Sequence, residues 1–280
     1  MPELDQPFAE LEFVAFDTET TGLLPDRERV VEIAAVRFTA GGRVAEFDEL
    51  INPHRPIPGA AARVHGIGDG QVAGKPGVEA VLPRFLEFIE GAVLLAHNAE
   101  FDVSFLAHEA QRVGQSMPQV VVVDTVEISR TLRPDLPNRK LETISKAIGL
   151  AAPEYHRALA DAETLERVFL KMLEDAKPQT LGDVLQLSAG ALTFGPDPKL
   201  AMWLPPHLKP LQEALQTQGK VTILYEPEGK RQDTRDIQPK GYMRRPGSTF
   251  LMAFCERDRA DRSFRLDWIT RAQYAQATLF

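Results

Sequence analysis

The sequence is poor in cysteine and has no long apolar run. Cys255 is the single cysteine among 280 residues, which excludes an internal disulfide framework and is typical of a reducing compartment. No apolar run approaches the roughly 20 residues that a membrane-spanning helix needs. The acidic start MPELDQPFAE lacks the basic-then-apolar layout of a secretion signal. We therefore expect a cytoplasmic protein that does not bind membranes.

The chain also lacks an excess of positive charge. Its formal net charge of −8 argues against a protein that coats nucleic acid without selectivity. The charge is distributed unevenly, because residues 216–280 carry 12 Lys and Arg against 8 Asp and Glu. That segment has a charge of +4 and the rest of the chain −12, which predicts two parts with different roles.

Hydrophobic patterning divides the chain into three regions. In residues 1–177, three strand-like runs with glycine turns predict an antiparallel meander, and helices then alternate with short buried strands. This order is typical of an α/β fold with a mixed sheet flanked by helices. Residues 178–215 are predicted to form a proline-rich linker with helical segments. Short strands in residues 216–280, split by Gly and charged turns, predict a small β-barrel or sheet.

The stretch FVAFDTETTG, residues 13–22, ends an apolar strand in two acids. The side-chain period of two along a strand places Asp17 and Glu19 on one face. Two like charges repel each other, and burial makes each of them costlier. Two interpretations are open: the strand emerges into solvent there, or a hard cation such as Mg²⁺ or Mn²⁺ lies between the carboxylates.

Two further acids and a histidine lie at the starts of predicted helices. Asp102, in LLAHNAEFDVSFL, occupies a first helical turn, where an acid commonly offsets the helix dipole. Asp161 lies in the apolar seam of the last long helix, where a carboxylate is costly unless something binds it. The seam has spacings of three and four residues and comprises Ala158, Asp161, Leu165, Val168 and Met172. His156 precedes this helix and is either a surface or capping residue or a general base beside a water molecule.

In order and spacing, the motifs DTETTG, HNAEFD and HRALADA resemble those of the DEDDh subclass of DnaQ-like 3′→5′ exonucleases. The resemblance covers about residues 10–175 and implies an RNase H-like mixed sheet. It also implies that the four acids bind two divalent metal ions, Mg²⁺ or Mn²⁺, and that the histidine activates the attacking water. The corresponding residues here are Asp17, Glu19, Asp102, Asp161 and His156.

The same resemblance implies contacts with the substrate around the first two motifs. The backbone near Thr18 and Thr20 is expected to hold the terminal 3′-hydroxyl group. Leu23 is expected to press against the last bases, and Phe101 to pack beside the terminal nucleotide. Leu23 and Phe101 fit an ordinary core position equally well. His65, in the loop RVHGI, is predicted to be structural and is not assigned to the site.

Residues 216–280 resemble a WYL domain, a small SH3-like β-barrel, chiefly through RSFRLDWI. The namesake Trp-Tyr-Leu positions correspond to 249–251, which read Thr-Phe-Leu here. The resemblance implies sensing of a ligand or of single-stranded nucleic acid, for which Arg244, Arg245 and Arg265 are the predicted contacts. The alternative is a packing or dimerisation module, which would bind a second copy or another protein while its arginines stay solvated.

These observations favour a metal-dependent exonuclease that degrades DNA from 3′ ends to nucleoside 5′-monophosphates, in repair or turnover. Its expected partners are single-stranded DNA and DNA 3′ ends. An RNA-trimming enzyme is an alternative, because nothing in the sequence reads the 2′-hydroxyl group. A regulator that only binds nucleic-acid ends is a second alternative. Four acids and a histidine argue against it, since binding alone does not need such costly polar groups.

Overall fold

The computed structural model describes residues 2–150, 157–188, 191–194, 201–227, 231–245 and 248–274. Contacts within the chain divide it into two compact units, Met1–Trp203 and Leu204–Phe280. Within the described ranges, no helix is both long and apolar enough to cross a membrane.

The first unit contains a seven-stranded sheet and helices on both of its faces. The strands are β1 (Phe13–Thr20), β2 (Val30–Thr39), β3 (Gly42–Leu50), β4 (Val93–Ala96), β5 (Val120–Asp124), β6 (Ala191–Phe194) and β7 (Ala201–Trp203). The helices are α1 (Gly59–His65), α2 (Asp69–Val72), α3 (Val78–Phe88), α4 (Glu100–Val113), α5 (Thr125–Leu132), α6 (Leu141–Ala147), α7 (Ala158–Ala176) and α8 (Leu181–Leu187).

The order of strands in this sheet is β3-β2-β1-β4-β5-β6-β7. The meander β1–β2–β3 is antiparallel, whereas β4 and β5 join β1 in parallel, so the predicted mixed sheet flanked by helices is confirmed. Strands β6 and β7 add two antiparallel neighbours beyond β5. Both lie within residues 178–215, where the proline-rich composition predicted a linker with helical segments.

Strand β1 is apolar on both faces because both faces are covered by helices. Val14 and Phe16 pack into one cluster with residues of α3 and α4, and Phe13 and Ala15 pack into a second cluster with residues of α5, α7 and α8. Odd-numbered positions of β1 therefore face α7, and even-numbered positions face α4. This alternation decides the direction of the polar side chains that follow along the same strand.

The second unit contains α9 (Lys209–Thr217) and a five-stranded antiparallel sheet. Its strands are β8 (Val221–Tyr225), β9 (Asp233–Arg245), β10 (Ser248–Cys255), β11 (Ala260–Arg265) and β12 (Ile269–Tyr274). Their order is β11-β10-β9-β8-β12, and in the part of the unit that the structure describes β11 and β12 do not pair to close the sheet. The predicted small β sheet is present, and its closure into an SH3-like barrel stays a prediction.

Candidate active site

The polar end of β1 gathers three carboxylates. Asp17 and Glu19 follow the buried run of β1 at odd-numbered positions, so both face α7. Asp161 lies in the first turn of α7, which packs on β1 and β2. One carboxylate oxygen from each residue can be chosen so that all three lie within 4.8 Å of one another.

Burial and mutual repulsion favour the protonated forms of Asp17 and Glu19. Burial raises the pKa of Asp17 well above its usual value, and the charges of Asp102, Glu19 and Asp161 raise it further. Burial also raises the pKa of Glu19 to about 8, with added repulsion from Glu32 and Asp161. Three hard oxygen donors that repel one another at this separation fit a divalent cation such as Mg²⁺ or Mn²⁺, which would neutralise the repulsion.

Asp102 approaches the same strand from the opposite layer. It lies in the first turn of α4, is 2% exposed, and accepts hydrogen bonds from the backbone N–H (3.0 Å) and the hydroxyl group (2.6 Å) of Thr18. Burial raises the pKa of Asp102 to about 7, although the two bonds from Thr18 oppose the rise. Asp102 does not belong to the group of three, yet its charge is close enough to raise the pKa of Asp17.

The predicted substrate contacts lie in different surroundings. Thr18 is buried against Asp102, and the Thr20 hydroxyl group donates to the carbonyl of Gly22 (2.6 Å). Leu23 is 79% exposed, so its interpretation as a core residue is wrong. Phe101 is half-buried and packs against the ring of Phe105 with 4.9 Å between the ring centroids.

His156 lies outside the described residues, and the chain is described again from the next residue, Arg157. Beside Arg157 the structure reveals a buried acid, Glu32, that the sequence analysis did not single out. Glu32 is fully buried in β2, directly opposite Glu19, and pairs with Arg157. The available signal was a lone carboxylate inside the otherwise apolar run VVEIAAV.

A second missed group holds the HNAEFD loop in place. The carboxylate of Asp124, at the end of β5, accepts hydrogen bonds from the backbone N–H groups of Asn98 and Ala99, both at 3.1 Å. The ring of His97 bridges the hydroxyl group of Thr125 (2.9 Å) and the carbonyl of Arg139 (2.7 Å). These bonds fix the entrance to α4 and therefore the position of Asp102.

His65 has the surroundings of a structural residue. It is buried at the end of α1, and its Nδ1 atom accepts a hydrogen bond from the backbone N–H of Ile67 (3.0 Å). Burial lowers the pKa of His65, so the neutral ring is favoured.

In the second unit, Arg265 is already engaged by its neighbours. Its guanidinium group forms two hydrogen bonds with Asp267, at 3.0 and 2.5 Å, and lies 4.2 Å from the ring centroid of Trp268. The backbones of Arg244 and Arg245 belong to β9, and their side chains lie outside the described part of the structure. Of the three namesake WYL positions, the one at Leu251 is buried in the core of the unit.

Comparisons with known proteins agree with this arrangement. Residues 14–169, more than half of the chain, match the RNase T family of exonucleases, and residues 206–274 match the WYL domain. A PolC-type DNA polymerase III from Caldanaerobacter subterraneus subsp. tengcongensis is 43% identical over 171 residues, which is 61% of this chain and 12% of that protein. An epsilon-like DNA polymerase III protein from Rhodobacter capsulatus is 42% identical over 189 residues, which is 65% of this chain and 27% of that protein. The matched region is thus a small part of these relatives.

Solved structures of exonucleases are also similar to this chain. Exonuclease X in complex with 5′-overhanging duplex DNA has 26% sequence identity and a TM-score of 0.50, and the match covers 62% of this chain and 98% of that chain. Exonuclease I has a TM-score of 0.59 over 88% of this chain and 55% of its own, at 16% identity, and shows the shared fold. The chain therefore belongs to the RNase T family of exonucleases, with a DnaQ-like exonuclease domain at residues 14–169 and a WYL domain at residues 206–274.

Proposed function

We propose that the first unit is a metal-dependent exonuclease that removes nucleotides from the 3′ ends of DNA as nucleoside 5′-monophosphates. The observation that carries the proposal is the group of three carboxylates, Asp17, Glu19 and Asp161, whose oxygens lie within 4.8 Å of one another. Such a group is costly to maintain at neutral pH unless a cation binds it. Because the chain belongs to an exonuclease family, the proposed cation would serve the hydrolysis of a phosphodiester bond.

In this proposal the three acids and Asp102 hold two divalent cations, Mg²⁺ or Mn²⁺. When bound, such cations supply the positive charge that acidifies the attacking water and stabilises the departing oxygen. The contribution of the protein is to fix the carboxylates before the substrate arrives. Support for a role of Asp102 comes from its charge, which acts on Asp17, and from its bonds to Thr18, which fix its orientation.

His156 is the proposed general base. It would take a proton from the attacking water as the water oxygen bonds to the terminal phosphorus atom. The bond from that phosphorus to the 3′-oxygen of the penultimate nucleotide breaks, and solvent protonates this oxygen. The products are a nucleoside 5′-monophosphate and a strand shorter by one nucleotide, with a new 3′-hydroxyl group. The position of His156 in the sequence, five residues before Asp161, supports this role.

The terminal nucleotide is proposed to lie beside Thr18, Thr20, Leu23 and Phe101. The N–H of Thr18 is taken by Asp102, so a 3′-hydroxyl group would donate to a backbone carbonyl in this stretch. Leu23 exposes most of its apolar side chain, and covering it with a nucleobase would remove that surface from water. Phe101 is half-buried and precedes Asp102 directly in the first turn of α4.

DNA is the proposed substrate because two relatives that are more than 40% identical to this chain are DNA polymerase III proteins. The structure of exonuclease X, with 26% identity, contains duplex DNA. A role in repair or turnover is proposed because this exonuclease domain is fused to a WYL domain. Trimming of RNA is the alternative that the experiment below distinguishes.

For residues 216–280 we propose an SH3-like barrel that contacts nucleic acid through Arg244, Arg245 and Arg265. The local charge of +4 supports this role. Arg265 would have to exchange Asp267 for a phosphate, since the two now form a bidentate pair. A dimerisation or packing role is the alternative.

The test uses DNA and RNA strands of one sequence, single- and double-stranded, labelled at either the 3′ or the 5′ end. With Mg²⁺ or Mn²⁺, a 3′ label on DNA should be released at once as a mononucleotide, whereas a 5′ label should persist in a ladder of shortening strands. Asp161→Asn should be inactive on both substrates. Faster digestion of RNA than of DNA would replace the DNA assignment, and release of a 5′ label first would overturn the polarity.

A further inference from the structure

Glu32 is a buried carboxylate that the proposed reaction does not use. It lies near the start of β2 with no exposed surface, among Val30, Val31 and Ile33. A charge in such a position is strongly destabilising unless it is paired and fully hydrogen-bonded. Its partners should therefore show what the charge does for the fold.

All of the hydrogen bonds that the structure gives Glu32 lead to the start of α7. Its Oε1 accepts from Nη2 of Arg157 at 2.6 Å, and its Oε2 accepts from Nε of Arg157 at 3.3 Å. Oε2 also accepts from the backbone N–H of Ala158 at 3.0 Å. The first N–H groups of a helix have no partner within the helix, so a carboxylate from another element caps α7 here.

This capped turn carries one of the proposed cation ligands. The backbone N–H of Asp161 donates to the carbonyl of Arg157 at 3.0 Å, so the first turn of α7 places Asp161 directly. On the sheet, Glu32 is the cross-strand partner of Glu19. Opposite residues in an antiparallel pair project from the same face, so Glu32 anchors α7 at the place where its acid must meet the acids of β1.

We propose that Glu32 is a positioning residue, which holds the first turn of α7 so that Asp161 comes within coordination distance of Asp17 and Glu19. The inference rests on the proposed function of these three acids as a cation site. Glu32 is not counted among the proposed ligands, because it lies outside the group of three carboxylates and its own carboxylate is bonded to Arg157 and Ala158. Supporting residues behind metal ligands typically change metal affinity by 10- to 100-fold when altered.

An electrostatic role and a positioning role of Glu32 predict different results for two substitutions. Glu32→Gln removes a negative charge near the site and also presents an amide donor to Arg157, so it disturbs both. Glu32→Asp keeps the charge but is one methylene shorter, so its carboxylate cannot keep all of its bonds to α7. A purely electrostatic role predicts that Glu32→Asp binds a cation as the wild type does, whereas a positioning role predicts a loss.

The test is Mn²⁺ binding by the full chain in the absence of nucleic acid, measured from the electron paramagnetic resonance signal of free Mn²⁺. Far-UV circular dichroism checks that each variant is folded. We expect Glu32→Gln and Glu32→Asp each to weaken Mn²⁺ binding about 10-fold or more. Wild-type affinity in a folded Glu32→Asp would overturn the proposal.

Arg43→Gln is the matched control. Arg43 is in β3 and pairs with Glu166, a nearly buried acid farther along α7, at 2.8 Å. The substitution also breaks a partly buried ion pair between the sheet and α7, but the first turn of α7 keeps its cap. Mn²⁺ affinity within about twofold of wild type is expected, because the proposed ligands do not move. A loss equal to that of Glu32→Asp would show that any weakening of α7 suffices, and would overturn the specific role of Glu32.

Asp161→Asn separates this inference from the proposed function. If it binds Mn²⁺ as tightly as wild type does, the cation site itself is wrong. If it loses binding while Glu32→Asp does not, only the positioning role fails.

Arg157→Lys decides the matter if neither Glu32 variant folds. Lysine keeps the charge but cannot engage both carboxylate oxygens, so we expect a loss of about threefold or more. Wild-type affinity in that variant would overturn the proposal.

Discussion

Glu19→Gln should stabilise the metal-free protein at alkaline pH. Burial and neighbouring acids raise the pKa of Glu19 from 4.5 to about 8 in the folded protein. Below pH 4.5 Glu19 is protonated in both the folded and the unfolded states, so its charge costs nothing. As the pH rises towards 8, the unfolded protein loses this proton and the folded protein retains it, so stability falls across this window. A glutamine cannot ionise, so the stability of Glu19→Gln does not fall in this way as the pH rises.

The size of the effect follows from the same values. A pKa raised from 4.5 to about 8 corresponds to roughly 5 kcal/mol of lost stability once Glu19 is ionised in both states. Burying the glutamine amide without ideal hydrogen-bond partners costs about 1 to 3 kcal/mol, which reduces the stability gained by removing the charge. We therefore expect Glu19→Gln to be about 2 to 4 kcal/mol more stable than wild type above pH 8. At about 2 to 4 °C per kcal/mol, the melting temperature should rise by at least about 4 °C.

Thermal unfolding in EDTA at pH 5, 6.5, 8 and 9 measures this difference. Glu174→Gln is the control, because Glu174 is an exposed acid on the same helix as Asp161 and its ion pair with Lys171 lies in solvent. That control should stay within about 0.5 kcal/mol of wild type at every pH. The reasoning is refuted if Glu19→Gln is no more stable than wild type at pH 9, or if its gain is the same at pH 5.

Three further predictions concern catalysis and binding. Asp17→Asn should abolish turnover with Mg²⁺ while the fold survives, because it removes a proposed ligand and also relieves repulsion; near-normal activity would exclude Asp17 as a ligand. His156→Ala should lower the catalytic rate by about 10² to 10⁴ with DNA binding largely kept, and a variant with a third of the rate would make His156 structural. Replacing Arg244, Arg245 and Arg265 by Ala should flatten the log–log salt slope of single-strand binding by roughly 2, measured by salt-titrated fluorescence anisotropy; an unchanged slope would leave a packing or dimerisation module.

The sequence predicted the features that depend on local periodicity. A period of two along β1 placed Asp17 and Glu19 on one face, and a period of 3.6 along α7 placed Asp161 towards the sheet. Because β1 and α7 pack together, the three acids meet. Each of these residues could be assigned to one face of its own strand or helix from the local sequence alone.

The interactions that the sequence did not reveal join distant parts of the chain. Glu32 meets Arg157 across 125 positions, and Asp124 caps a loop 25 positions earlier. No local pattern encodes such pairs, although a lone acid in an apolar strand marks one of the two partners. Strands β6 and β7 were missed because proline-rich composition outweighed their short apolar runs.

The central claim, entry from a 3′ end, is tested most directly with terminal phosphorothioates. Two single-stranded DNA substrates of one sequence carry the sulfur substitution at either the last 3′ linkage or the last 5′ linkage, and mass spectrometry follows the products with Mg²⁺. Digestion should slow from the first turnover only for the 3′-modified strand, and the products should be nucleoside 5′-monophosphates. Equal rates on both strands, or nicking of a covalently closed DNA circle by the pure protein, would contradict the account.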